Sequence, residues 1–251
     1  MIELTLIGIG TGNPGHVTLQ AVESMRGADL VLIPLKGGDK ADLAGLRRHI
    51  CHTHLQGTAT RIAEFDLPLR DAGDPDYQGG VARWHDAIAD AWESAIRAHL
   101  PAVSGRVALL VWGDPSLYDS SLRIANRLET RMALATRVIP GITAIQALCA
   151  AHAMPLNRIG APVQITTGRR LRDHGWPEAA DTVVVMLDGG CAFRSLPPQG
   201  IHIWWGAFLG MAEEITCAGP LAEAGPRIER LRAQARADHG WIMDIYLLRR
   251  G

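Results

Sequence analysis

An apolar run from Ile2 to Ile9 that breaks up into Gly8, Gly10, Gly12 and Gly15 constrains this chain more than any other stretch. A run of that kind reads as a buried first strand. A tight strand-to-helix turn needs fewer glycines than this loop holds. The surplus points to a ligand, because glycine takes φ > 0 and lets backbone amides approach with no Cβ in the way. Thr18 to Met25 then reads as a helix with Thr18 as its cap. Strand, glycine loop and helix together open an α/β domain of the nucleotide-cofactor kind.

The residues choose poorly among the familiar cofactors. Gly8-x-Gly10 starts a dinucleotide fingerprint, but Asn13 stands where its third glycine belongs. Asp29 precedes the second strand, Leu30 to Ile33, instead of ending it, so no acid is placed for a ribose. An NAD-dependent oxidoreductase is therefore a minor alternative. No Gly-Lys-Ser/Thr follows, which rules out a Walker phosphate loop.

Further along, strands and helices alternate. Arg61 to Leu67 reads as a short strand. Tyr77 to His99 is the clearest helix, with Val81, Trp84, Ile88, Trp92, Ala95 and Ile96 at helical spacing. Trp84 and Trp92 share a face and read as core. Val107 to Trp112 is a strand that runs into Gly113-Asp114-Pro115-Ser116-Leu117-Tyr118-Asp119, and Arg137 to Ile139 runs into Pro140-Gly141-Ile142-Thr143-Ala144. Ligands of open α/β sheets collect at such strand ends.

The character changes after Leu117. Upstream, βαβ units predict a mostly parallel sheet. Downstream, strands over 163–167, 182–187, 201–206, 214–217 and 242–248, joined partly by short turns, predict a mixed sheet. Two α/β domains are expected, 1–117 and 118–251.

A formal charge of −1 gives no global electrostatic case for nucleic acid. No apolar run reaches membrane-spanning length. Cys51, Cys149, Cys191 and Cys217 form no C-x-x-C pair, and no signal peptide is read at the start, so a reduced, cytoplasmic setting is expected. His49, Cys51, His52 and His54 cluster as metal ligands might. No second cluster at zinc-finger spacing follows, so they read as a solvated helix end and no metal is expected.

Taken in order, the motifs resemble those of the tetrapyrrole methylases, the class III S-adenosylmethionine-dependent methyltransferases. Leu6 to Pro14 is similar to the family's opening V-G-x-G-P-G-D-P, with Thr11 in place of proline and Asn13 in place of aspartate. Ala28-Asp29-Leu30-Val31, Gly113-Asp114-Pro115, Pro140 to Ala144, Met154-Pro155-Leu156, Val184-Val185-Met186 and Gly219-Pro220-Leu221 follow in register. Within the family, the runs from Pro140 to Leu156, Val184 to Cys191 and Trp204 to Met211 are most similar to the branch that methylates C1 of its macrocycle and expels an acetyl group as acetate.

The resemblance implies a homodimer that transfers a methyl group from S-adenosylmethionine to a small-molecule tetrapyrrole, leaving S-adenosylhomocysteine. The cofactor is expected in a cleft between the two domains. Thr11, Gly113, Asp114, Leu117, Thr143, Ala144, Met186, Ala207, Gly219, Pro220 and Leu221 are its expected contacts. The substrate's carboxylates call for cations, with Lys36, Arg169 and Arg170 as candidates. Loss of acetyl is a formal hydrolysis, for which Tyr118 and Asp119 sit on the appropriate loop.

Overall fold

The computed structural model describes residues 1–35, 41–71, 73 and 76–251. Lys36, a candidate substrate contact, and Asp39, read as a helix cap, lie outside them. The chain divides into one unit of Met1–Gly10 with Pro14–Ile142, and another of Thr11–Asn13 with Thr143–Gly251.

The first unit is built on β1 (Ile2–Gly8), β2 (Leu30–Leu35), β3 (Arg61–Asp66), β4 (Gly105–Val111) and β5 (Leu134–Ile139). They form one parallel sheet in the order β3-β2-β4-β1-β5. The helices α1 (Leu19–Arg26) and α2 (Ala41–His54) cover one face. The other face takes α3 (Tyr77–His99) and α4 (Ser121–Glu129). With both faces covered, β4 is apolar from Val107 to Val111 and reads as a continuous run, whereas β1 keeps Glu3 exposed and Thr5 half-buried before its fully buried end. On α3, Trp92 is buried with Ile88, Ala95 and Ile96, while Trp84 turns its indole N–H to the Pro68 carbonyl at 2.8 Å.

The expected division after Leu117 moves to Ile142, because β5 pairs with β1 from Ile2↔Leu134 to Ile7↔Ile139 and carries α4 with it. The His49–His54 cluster lies at the end of α2 with His49 and His52 exposed, the solvated helix end expected, and only Cys51 among its members turns inward. The helix α2 runs on to His54 and buries Cys51 in the core, and burial pushes that thiol up to about 11.

The second unit holds α5 (Ala144–Ala151), β6 (Val163–Thr167), α6 (Gly168–His174), β7 (Thr182–Met186), β8 (Ile201–Ala207), β9 (Ile215–Pro220), α7 (Leu221–His239) and β10 (Asp244–Arg250). Its sheet has the order β6-β7-β10-β8-β9. The β6–β7 pair is parallel and the other pairs are antiparallel, which gives the mixed sheet expected. The last strand inserts between β7 and β8, so the middle of this sheet is supplied by the C-terminal segment. Trp205, Tyr246, Phe193 and Ile228 centre its core, and Phe193 meets Tyr246 edge-on at 5.3 Å.

Candidate cofactor and substrate site

Three loops of the first unit meet at the carboxyl ends of β1, β4 and β5. Gly10 and Gly113 exchange backbone hydrogen bonds of 3.3 and 2.8 Å. A Cβ on Gly8 would lie 2.5 Å from the Gly141 nitrogen and 2.7 Å from the Gly113 oxygen. A Cβ on Gly141 would lie 2.2 Å from that oxygen. Gly8 and Gly141 are thus glycine for close approach of backbone to backbone. Gly113 differs: its φ of +65° calls for glycine, yet a Cβ there would meet nothing within 4 Å. Its open side is the free space that a ligand needs.

Asp114 locks this junction. Its carboxylate accepts from the Ser116 N–H at 2.8 Å, the Ser116 hydroxyl, and the Gly141 N–H at 2.8 Å, so the loop after β4 is tied to the loop after β5. Burial opposes its ionisation, but these hydrogen bonds outweigh that and hold the carboxyl below its ordinary value. The sign for stability follows. A depressed carboxyl stabilises the fold fully above its ordinary value of 3.8, and that contribution fades as pH falls through the lowered value. Asp114→Asn is expected to cost about 1–3 kcal/mol at pH 7. Urea titrations of both proteins from pH 7 down to pH 3 should show the gap narrowing below the ordinary carboxylate range.

Thr11 is 3 % exposed, and its hydroxyl has no hydrogen-bond partner among the described residues. A buried hydroxyl left unpaired is uncommon and costly. Leu117 closes the turn after β4 by donating to the Asp114 carbonyl at 3.3 Å. Tyr118 follows with φ +49° and a ring 45 % exposed. Such a conformation costs about 1–3 kcal/mol and concentrates at functional sites. Asp119 accepts the Ser121 N–H on its Oδ1 at 2.6 Å, just before α4, and its other oxygen is uncommitted.

In the second unit, Thr143 caps α5 in a capping box with Gln146, and Ala144 is the first residue of that helix. Met186 ends β7 and Ala207 ends β8. The pairings Ala207↔Asp244 and Tyr246↔Val185 place both at one edge of the sheet. Leu187 and Phe208, the next residues, both have positive φ, and Leu187 is 66 % exposed. Arg169 and Arg170 begin α6 at the same edge, because Thr167 pairs with Met186. Gly219, Pro220 and Leu221 do not come to that edge. Pro220 pairs with His202 and Ile215 with Ala207, so they sit at the far end of β9. Five residues of strand separate the two ends, roughly 17 Å, and Gly219–Leu221 are read as the start of α7 instead.

The edge that carries Met186 and Ala207 is held by a buried polar network that sequence reasoning missed. Asp188 accepts from the Gly190 and Ala192 N–H groups at 2.9 and 2.6 Å and from the Tyr246 hydroxyl at 2.7 Å. Burial first, and then the Asp188 charge, push the Tyr246 phenol up. Arg232 on α7 donates to the Asp188 carbonyl at 2.8 Å, to the Gly189 carbonyl at 3.3 Å, and to the Asp244 carboxylate at 2.7 Å. It therefore fastens the loop after β7 to the strand beside Ala207. Its only local signal is an arginine in a charged helix, which ordinarily means solvent.

The family model described as Tetrapyrrole (Corrin/Porphyrin) Methylases matches residues 3–225. The chain is 48 % identical over 253 residues to the Precorrin-6A synthase [deacetylating] of Sinorhizobium sp, covering 100 % of this chain and 96 % of that protein. The crystal structure of a cobalamin synthesis related protein (CobF) from Corynebacterium diphtheriae superposes with a TM-score of 0.84 at 41 % identity, covering 100 % of this chain and 99 % of that one. A uroporphyrin-III C-methyltransferase from Thermus thermophilus, solved with S-adenosyl homocysteine, shares the fold with a TM-score of 0.58 at 17 % identity, covering 98 % and 96 %.

Proposed function

We propose, from the premise that the chain belongs to the tetrapyrrole (corrin/porphyrin) methylases, that it converts precorrin-5 to precorrin-6A by methylating C1 and releasing acetate. The observation that carries this reading is the 48 % identity to a deacetylating precorrin-6A synthase over the whole chain. S-adenosylmethionine supplies an electrophilic methyl carbon when bound, and S-adenosylhomocysteine leaves. The acceptor is a carbon of the macrocycle, so the chain needs no nucleophile of its own. Its work is alignment, worth several kcal/mol when donor and acceptor carbons are held in line.

The described residues fit such a cofactor on two observations of this structure: the open side of Gly113 and the unpaired Thr11 hydroxyl. The proposed contacts are Thr11, Gly113, Asp114, Leu117, Thr143, Ala144, Met186 and Ala207. Arg169 and Arg170, beside Met186, are proposed to meet substrate carboxylates. Acetyl loss adds water to the acetyl carbonyl carbon. The carbon–carbon bond breaks, its electron pair returns to the macrocycle, and acetate departs. Tyr118 is proposed to orient that water and the uncommitted oxygen of Asp119 to take its proton. Among the described residues no helix is long and apolar enough to cross a membrane. The four cysteines are free, which supports the reducing cytoplasm as its setting.

Calorimetric titration with S-adenosylhomocysteine, with NAD in parallel, tests the cofactor reading. Saturable binding of the first alone is expected, followed by mass-spectrometric detection of precorrin-6A and acetate from precorrin-5. In Gly113→Trp the indole would fill the open side, so S-adenosylhomocysteine binding should disappear. Positive φ at a non-glycine costs only about 1–2 kcal/mol, so that variant should remain folded. Undiminished binding in it would remove Gly113 from the site.

A further inference from the structure

The strand pairing of the first unit leaves a gap at its carboxyl edge. β2 follows β3 to Leu35↔Asp66, but it leaves β4 after Leu32↔Leu109. Val111 turns its carbonyl toward β1, accepting the Ile9 N–H at 3.0 Å, so the Leu110 carbonyl one residue earlier faces the gap. Arg47 of α2 fills it. Its Nε donates to the Leu110 carbonyl at 2.9 Å, and a terminal nitrogen donates to the Leu43 carbonyl at 3.2 Å.

We propose that Arg47, in the gap between the carboxyl ends of β2 and β4, receives a carboxylate arm of the tetrapyrrole. This rests on the substrate reading given above. Arg47 is 7 % exposed, and among the described residues no carboxylate forms an ion pair with it. A buried cation without an anion costs several kcal/mol. The two carbonyls that it satisfies need only a neutral donor, so the charge is surplus to the fold. Burial pushes the group down to about 10, so it stays cationic at neutral pH, and Asp119 acts on it only through space. Asp119 commits one oxygen to the Ser121 N–H. The planar fork of arginine matches a carboxylate with two parallel bonds, and the gap lies at the sheet edge where ligands of parallel sheets bind.

Arg47→Gln separates the two roles, since it keeps a neutral donor for Leu110 and loses the charge. With precorrin-5, KM is expected to rise at least about tenfold, with kcat within about threefold, S-adenosylhomocysteine affinity unchanged, and Arg47→Lys recovering part of the loss. Uroporphyrin III and its methyl ester provide a second measurement on the unaltered protein, in which the free acid should bind and the ester should bind far more weakly. An unchanged KM in folded Arg47→Gln would overturn the assignment, as would equal affinity for acid and ester. If the unaltered protein binds S-adenosylhomocysteine but does not convert precorrin-5, the substrate reading itself is overturned. That outcome is distinct from the other two.

Discussion

Gly141→Ala is expected to abolish S-adenosylhomocysteine binding and to destabilise the first unit together. The added methyl would sit 2.2 Å from the Gly113 oxygen, 2.7 Å from the Gly8 carbonyl carbon and 2.8 Å from the Gly8 Cα. All of these are backbone atoms, so no side chain can rotate away. Either the loop after β5 or the loop after β4 must shift, and the 2.8 Å bond from the Gly141 N–H to Asp114 is lost with it. Overpacking of this kind costs about 1–3 kcal/mol, and a site closed by backbone belongs at the upper end. A rise in Kd of at least ~100-fold, about 2.7 kcal/mol, is expected in the calorimeter. Gly45→Ala is the control. It lies within α2 with nothing inside 4 Å, so the helix should gain about 0.5–1 kcal/mol and binding should not change. Wild-type affinity in Gly141→Ala would mean that the three loops are not a functional unit.

Arg232→Met is expected to cost the most stability of any single substitution considered. The Arg232 and Asp244 side chains are 9 % and 7 % exposed, and the Trp205 indole adds a 3.0 Å bond to the same carboxylate. Burial alone would lower the guanidinium's pKa, but the bond to Asp244 reverses that and raises it. Removing the arginine strands a buried carboxylate and unties the Asp188 and Gly189 carbonyls. Breaking a buried pair in this way costs about 3–5 kcal/mol, whereas removing both charges costs much less. Urea unfolding should therefore show a large loss in Arg232→Met and recovery of at least half of it in Arg232→Met/Asp244→Asn. S-adenosylhomocysteine affinity should remain weakened in the double variant, because the loop after β7 is still unfastened. A double variant as unstable as the single one would mean that packing, rather than charge, dominates at this position.

What local sequence determines is clear from particular elements. The continuous apolar run of β4 from Val107 to Val111 specifies a strand buried on both faces, since one face alone would leave alternate positions polar. The spacing of Ile88, Trp92 and Ile96 fixes α3, whose bounds match those read from the sequence. The glycine loops and their order along the chain carry the family, because φ > 0 and close backbone approach are requirements on single residues.

Other features depended on the tertiary structure, for one physical reason: each is a contact between residues far apart in sequence. The first unit extends past Leu117 because β5 finds β1, more than a hundred residues earlier in the chain. Gly219–Leu221 fall away from Met186 because β9 runs antiparallel to β8, and direction is set by pairing, which composition does not express. Gly8 and Gly141 read as glycines of ligand-type loops, and only folding presses their backbones against each other and against Gly113. Arg47 and Arg232 sit in helices where a lone sequence gives a solvated charge. Folding carries one to a carbonyl 63 residues away and the other to carbonyls 43 and 44 residues away. Sequence alone determined which glycine loops end the strands of the first unit, because each is a requirement on single residues; the tertiary contacts decided which charges would be buried, because each needs a partner far along the chain.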